Sequence, residues 1–356
     1  MSMFNPLSVS SKFAICGLPL RLDSYSLCSF GCSYCFANNR RIGVKPDKTA
    51  NIGWLERKFH KVYDEKTTRD GNFLDALLKE RVTLHGGGQS DCFQPCEKRL
   101  KTTQRIVDLC NEYEQHILFS TKSNCIYSVE ALPEYHTFQL SVSNTKGLFE
   151  ENVPSVIERK RFYDELKDKG FKVGIRIQPF IPNVTDIEEI VSLFSDAEHY
   201  TIECLKFVPH NKEFNNKMIR MLGFERGDWK QKGLIHLNPK IRSMIYRKVK
   251  GFLEDGGYSW SIADNDFHWL GNNRCCCGDK LIDKQTDFHN TCLIKDYGRG
   301  YELEQVKERL GNYKECKCSS LFTSDRREGC KTVEEFYNKR FDRKTSPFSP
   351  KFQYYV

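Results

Sequence analysis

Short runs dense in Val, Ile, Leu and Phe alternate with longer stretches of helical period through the first two thirds of the chain. The runs at 81–85, 116–121, 137–143, 172–180 and 200–208 have the length and the β-branched or aromatic content of strands. Between them, 100–114, 156–169 and 186–195 read as helices, and Thr185 or Asp186 stands where the last would take its N-cap. Strand–helix alternation at this spacing predicts a parallel sheet, because parallel neighbours need a crossover of about a dozen residues or more. The sheet is expected to be open or curled into a partial barrel. Beyond residue 209 the pattern changes. Residues 239–254 read as a helix stopped by Gly256 and Gly257, and from Arg274 strand signals fade while cysteines accumulate. A boundary is expected near residue 265. It separates an α/β part, 1–265, from a small cysteine-rich extension, 266–356, that needs a metal or packing against the rest to stay ordered.

Composition changes this picture at one point. With 39% hydrophobic residues in 356, a sizeable core is affordable, but 16 cysteines are unusual. The start of the chain lacks a basic segment followed by an apolar one, and no apolar run has the length of a membrane span. A cytoplasmic protein away from membranes is expected, with reduced thiols that serve as metal ligands or core residues. The net charge of +8, from 55 basic and 47 acidic side chains, is a mild excess. Its clusters at Lys98, Arg99, Lys101 and Arg105, at 159–161, and at Arg326, Arg327, Lys339, Arg340, Arg343 and Lys344 read first as solvated helix faces. A nucleic-acid surface is the lesser reading.

Cys28, Cys32 and Cys35 form a C-x3-C-x2-C triplet. A loop of that length wraps three thiolates around one face of a cubane, leaving one of four irons open to a small molecule. Structural zinc prefers four closed ligands and suits an isolated triplet less well. Three buried thiols without metal are the remaining reading.

With Tyr34 and Phe36 flanking its last cysteine, the triplet resembles the signature of the radical S-adenosylmethionine (SAM) superfamily. Further segments fit the same family in order: His85-Gly86-Gly87-Gly88-Gln89-Ser90-Asp91 after a strand, Lys122 at a strand end, Ser141 and Ser143 at the next, and Arg176 on a later one. Taken singly, these are also a turn, a loop lysine, surface serines and an inward charge needing a partner. The resemblance implies a partial (β/α)6 TIM-type barrel with a cysteine-rich C-terminal extension. It implies a [4Fe-4S] cluster on Cys28, Cys32 and Cys35, and SAM contacted by Gly86, Gly87, Gly88, Ser90, Lys122, Ser141, Ser143 and Arg176. It also implies an external one-electron reductant of flavodoxin or ferredoxin type, and hydrogen abstraction from a substrate carbon by a 5′-deoxyadenosyl radical.

The block from Gln89 to Arg105, with Pro19–Tyr25 ahead of the cluster, is similar to the spore photoproduct lyase-like branch, labelled DNA repair photolyases. That similarity implies lyase or modification chemistry on a nucleotide or DNA substrate, such as a modified pyrimidine. The chain departs from the branch at two positions. Gly88 stands where the branch has the cysteine that returns a hydrogen atom, and Phe36 where it has a relay tyrosine. Thymine-dimer repair is therefore not expected, and Cys92 and Tyr34 are the nearby candidates for catalytic roles. A peptide or small-metabolite substrate is the enzymatic alternative. A non-catalytic, zinc-stabilised nucleic-acid-binding protein is the other.

In the extension, Cys277, Cys292, Cys316, Cys318 and Cys330 match no closed zinc knuckle. An auxiliary [4Fe-4S] cluster is expected there, with zinc or unliganded thiols as alternatives. The adjacent Cys275 and Cys276 are not expected to face one metal together with Cys277. Cys16, Cys110, Cys125 and Cys204 read as core residues. His85 reads as structural before catalytic, and His268 as a ligand or a packing residue.

Overall fold

The computed structural model describes residues 3–10, 12–37, 48–68, 71–317 and 329–341. Eight of its strands make one sheet: β1 (Leu7–Val9), β2 (Leu20–Leu22), β3 (Leu84–Gly86), β4 (Ile117–Thr121), β5 (His136–Ser141), β6 (Val173–Phe180), β7 (Tyr200–Cys204) and β8 (Trp260–Ile262). They lie in sequence order across the sheet, every neighbouring pair parallel except the edge pair β1–β2. The architecture is the expected α/β partial barrel of TIM type. It carries one parallel strand, β8, and one antiparallel strand, β1, beyond the six repeats. Both are three residues long, too short to show an alternation in the sequence.

The register puts one set of side chains inside the barrel and the other under the helices. Phe119, Phe138, Leu140, Val173, Ile175 and Ile177 point outward into the main hydrophobic core. There they meet Ile106 and Val107 of α1 (Thr102–Glu112), Phe162, Tyr163 and Leu166 of α2 (Val156–Asp168), and Ile190 of α3 (Ile187–Leu193). Local chemistry fixes where these helices begin. Ser155 and Glu158 form a capping box at α2, and the Asp186 carboxylate accepts the Glu189 N–H at α3. The helix α4 (Pro239–Asp255) starts with Asn238 as cap and Pro239 in its first turn, and stops at Gly256.

The run at 200–208 divides. After β7 ends at Cys204, Lys206–Phe207 pairs antiparallel with Leu234–Leu237, which pairs in turn with Trp229–Lys232. This hairpin leaves the barrel and walls one side of its mouth with Phe207, Trp229 and Leu237.

The C-terminal part packs on the beginning of the chain. Residues 284–290 run along the N-terminal segment, with Thr286 N–H bonded to the Gly17 carbonyl (3.0 Å) and Asn290 N–H to that of Ala14 (2.9 Å). Phe336 and Tyr337 of α5 (Val333–Phe341) pack on Phe13, with ring centroids 4.7 and 5.9 Å away. Residues 275–281 lie across the N-terminal ends of the strands: Thr137, Thr201 and Gln139 donate to the carbonyls of Leu281 (2.7 Å), Cys276 (2.7 Å) and Cys277 (3.0 Å). Among the described residues, no helix is long and apolar enough to cross a membrane.

Candidate active site

The loop after β2 carries the cysteine triplet to the C-terminal end of the barrel. Gly31 turns it at φ +61°, and Cys35 N–H closes on the Cys32 carbonyl at 2.9 Å. Gln94 clamps it from the side: its amide oxygen accepts the Ser29 N–H at 2.6 Å while its NH2 donates to the Leu27 carbonyl at 2.9 Å. Cys28, Cys32 and Cys35 share one cluster with Phe30, Tyr34, Ile181, Leu205 and Phe207, which holds no fourth cysteine among the described residues. Burial pushes the Cys28 thiol up to about 12 and the Cys32 thiol to about 11. Without a metal both stay protonated at neutral pH, and a metal that binds them must displace those protons. Three soft donors in an apolar pocket, with none to close the set, fit a cubane with one free corner.

A buried polar group stands beside this pocket. Tyr34 OH lies 3.0 Å from Ser143 Oγ and donates to Glu150, whose carboxylate also pairs with Lys122 (2.7 Å) and Arg159 (2.9 Å). Burial works to raise the Glu150 carboxyl, but the charges of Lys122 and Arg159 outweigh it and hold it down at about 2. Glu150 is not among the residues the sequence singles out, and Arg159 lies elsewhere than expected. Arg159 is not on a solvated helix face; it is wholly buried, donating also to the Ser141 carbonyl at 2.5 Å. The signal for both would have been a carboxylate nine residues before an arginine whose helical position faces the sheet.

Gly86, Gly87 and Gly88 follow β3. Gly87 sits at φ +85°, and a Cβ there would lie 2.2 Å from the Ser120 carbonyl oxygen. A Cβ at Gly88 would point at Arg21, 3.2 Å from Nη1. Ser90 is absorbed by the scaffold, its hydroxyl donating to the Tyr25 carbonyl at 2.7 Å. Asp91 accepts from Lys122 N–H (2.6 Å) and Thr121 Oγ1 (2.8 Å), joining the glycine loop to the end of β4. Cys92 lies in the main hydrophobic core, away from the triplet's cluster, its thiol pushed well up by burial. Its carbonyl receives Thr103 Oγ1 at 2.6 Å.

The inward-facing side chains form a continuous polar chain across the barrel. Arg21 Nη1 meets His85 Nδ1 at 2.7 Å, and His85 Nε2 meets Ser120 Oγ at 2.9 Å. Arginine only donates, so Nδ1 is the acceptor and the proton resides on Nε2. Burial, reinforced by Arg21, holds this imidazole neutral, its pKa lowered to about 3. Arg176 donates to Gln139 (2.9 Å) and Gln178 (2.5 Å), and Gln178 donates to Glu203, which pairs with Lys206. Arg176 is thus the inward charge read from the sequence, with two amide oxygens as its partners.

The cysteines of the extension do not gather as expected. Cys277 lies within 4.8 Å, sulfur to sulfur, of Cys275 and Cys276, all three close enough to share an ion. The expectation that these neighbours cannot face one metal is corrected. Gly278, at φ +89°, returns its N–H to the Cys275 carbonyl (3.1 Å) and folds the triplet into a tight turn. Cys292 instead contacts His289 Nε2 at 3.2 Å. The carbonyl of Cys316 receives the Val333 N–H at 2.9 Å, and Cys330 is buried in the main core. Cys318 lies outside the described residues. His268 is a packing residue between the Asn265 carbonyl (2.6 Å) and Asn290 (2.5 Å).

No protein-family model matches the chain, and no curated protein does. Solved structures do. Spore photoproduct lyase complexed with dinucleoside spore photoproduct superposes with a TM-score of 0.51 at 13% identity, over 69% of this chain and 78% of that one. The fold is similar to that of spore photoproduct lyase. A mutant of that enzyme with bound AdoMet and dinucleoside spore photoproduct gives the same TM-score, 0.51, and 13% identity over 67% of this chain and 74% of that one. At such identity the likeness speaks for the fold alone. SuiB of Streptococcus suis bound to S-adenosylmethionine, at 13% identity over 60% of this chain and 49% of that one, reaches a TM-score of 0.38, too low to carry an argument.

Proposed function

We propose that this chain is a radical SAM enzyme whose [4Fe-4S] cluster is held by Cys28, Cys32 and Cys35. The observation that carries the reading is that these three cysteines line one apolar pocket at the mouth of a barrel with a polar interior. A cluster held by Cys28, Cys32 and Cys35 would supply the one-electron chemistry that cleaves SAM and allows hydrogen to be taken from substrate.

The chain's own residues bind, position and shield. Gln94 and Gly31 hold the cysteine loop in register for three ligands. The glycine backbone after β3 borders the end of the barrel where SAM would approach, with Gly87 and Gly88 packed on the Ser120 carbonyl and Arg21 behind it. Lys122, Ser141 and Ser143 border the same end of the barrel on β4 and β5. Phe30, Ile181, Leu205 and Phe207 exclude water from the pocket.

The interior supports a planar, hydrogen-bonding substrate such as a pyrimidine nucleotide or a base in DNA. Arg21, His85, Gln139, Arg176 and Gln178 line it with donors and amide groups of the kind that read base edges. Position 88 faces Arg21 but has no side chain, so a thiol there cannot return hydrogen to the product. The Tyr34 hydroxyl is engaged by Ser143 and Glu150.

Protein purified without air is expected to be brown, to contain iron and sulfide, and to release 5′-deoxyadenosine when given SAM and dithionite. The triple change Cys28→Ala, Cys32→Ala, Cys35→Ala should abolish that release, and its persistence would refute the assignment. Deuterated pyrimidine nucleotides should pass label into 5′-deoxyadenosine. Label arriving only from peptides would move the substrate to that class.

A further inference from the structure

A knot of four thiols closes the end of the barrel opposite the proposed cluster. Cys275, Cys276 and Cys277 place their sulfurs within 4.8 Å of one another. Cys16, on the segment leading into β2, packs against the same small cluster, its thiol donating to the Leu18 carbonyl at 3.4 Å. The four share a small apolar cluster with Leu18, Leu118 and Leu281 on the barrel floor. Two chain segments about 260 positions apart in sequence therefore come together at this cluster.

We infer that Cys16, Cys275, Cys276 and Cys277 form a mononuclear tetrathiolate site for zinc or a divalent ion of the same kind. The spacing chooses the nuclearity. Zinc–sulfur bonds of about 2.3 Å in a tetrahedron set the sulfurs about 3.8 Å apart, inside the 4.8 Å within which the sulfurs of Cys275, Cys276 and Cys277 already lie. Cysteines on a cubane bind separate irons and are spread more widely. The surroundings suit a site with net negative charge. The Arg176 guanidinium lies 4.0 Å from Cys277 Sγ, and Cys277 N–H points at Cys275 Sγ at 3.5 Å, the backbone contact that supports metal-bound thiolates. Gly278 is held to glycine, since a Cβ there would meet the His199 ring at 2.4 Å. The ion would tie the N-terminal segment to residues 275–281 and so seal the floor beneath the substrate chamber. The inference stands apart from the radical SAM reading.

The test uses the full chain with Cys28, Cys32 and Cys35 changed to Ala, which removes the proposed cluster and leaves the floor intact. It should bind one zinc per chain, and X-ray absorption at the zinc edge should show a shell of four sulfurs. Replacement by Co2+ should give sulfur-to-metal charge transfer. Adding Cys276→Ser and Cys277→Ser should weaken Zn2+ binding at least tenfold. Adding Cys16→Ser alone should reduce the shell to three sulfurs, which keeps the test decisive if the double change unfolds the protein. A shell dominated by nitrogen and oxygen, zinc retained undiminished by the variants, no zinc bound, or iron and sulfide in its place would each overturn the assignment.

Discussion

Glu150 shows how one buried carboxylate organises a site whose other members are basic or neutral. Lys122 and Arg159 both point at it, and Tyr34 gives it a hydroxyl. Removing its charge leaves two cations with no compensation in a space that excludes water. Glu150→Gln is therefore expected to cost about 3–5 kcal/mol, measured by urea unfolding at pH 7. Its pKa, depressed from 4.5 to about 2, also sets a pH limb. The carboxylate's contribution is full above pH 4.5 and falls as pH drops from there towards 2. The wild type should lose stability across that window, and the Gln variant should show a flatter limb. Neither Glu150 nor its partners could be paired from the sequence, because the contact depends on how α2 lies on the sheet.

Among the elements, the glycine loop and the cysteine loop are held by different means. Gly87 is fixed by its positive φ and by the Ser120 carbonyl 2.2 Å from where a Cβ would stand, whereas Gly147, at φ +67°, has open space around it. Gly87→Ala should therefore lower the melting temperature much more than Gly147→Ala, which is expected to cost only about 1 kcal/mol. The cysteine loop depends on the two hydrogen bonds of Gln94. Gln94→Ala should speed the loss of iron from protein held under chelator while leaving global unfolding nearly unchanged. Helix boundaries were readable because they rest on local chemistry, as at Ser155 with Glu158 and at Asp186. The three-residue strands β1, β2 and β8 were not, because their pairing comes from neighbours far along the chain.

At the scale of the whole molecule, the end of the chain stabilises its beginning. Phe13 is fully buried against Phe73, Phe336 and Tyr337, and Tyr337 OH donates to the Phe288 carbonyl at 2.9 Å. Phe13→Ala should cost about 3–5 kcal/mol. Limited proteolysis should then cut before Val333 sooner than in the wild type. The same contacts place residues 275–281 beneath the strands, so the floor of the barrel is built by a part of the chain that looks separate in the sequence.

The amino-acid sequence alone determined the α/β alternation, the helix caps and the triplet of cysteines, since each is written within a dozen residues. The tertiary structure alone decided which polar side chains face one another inside the barrel and which cysteines lie together. Arg21 meets His85, Gln139 meets Arg176, and Cys16 packs against the same cluster as Cys276. Strand order and register bring these pairs together across up to 260 positions of chain, and no local pattern encodes a distance of that kind.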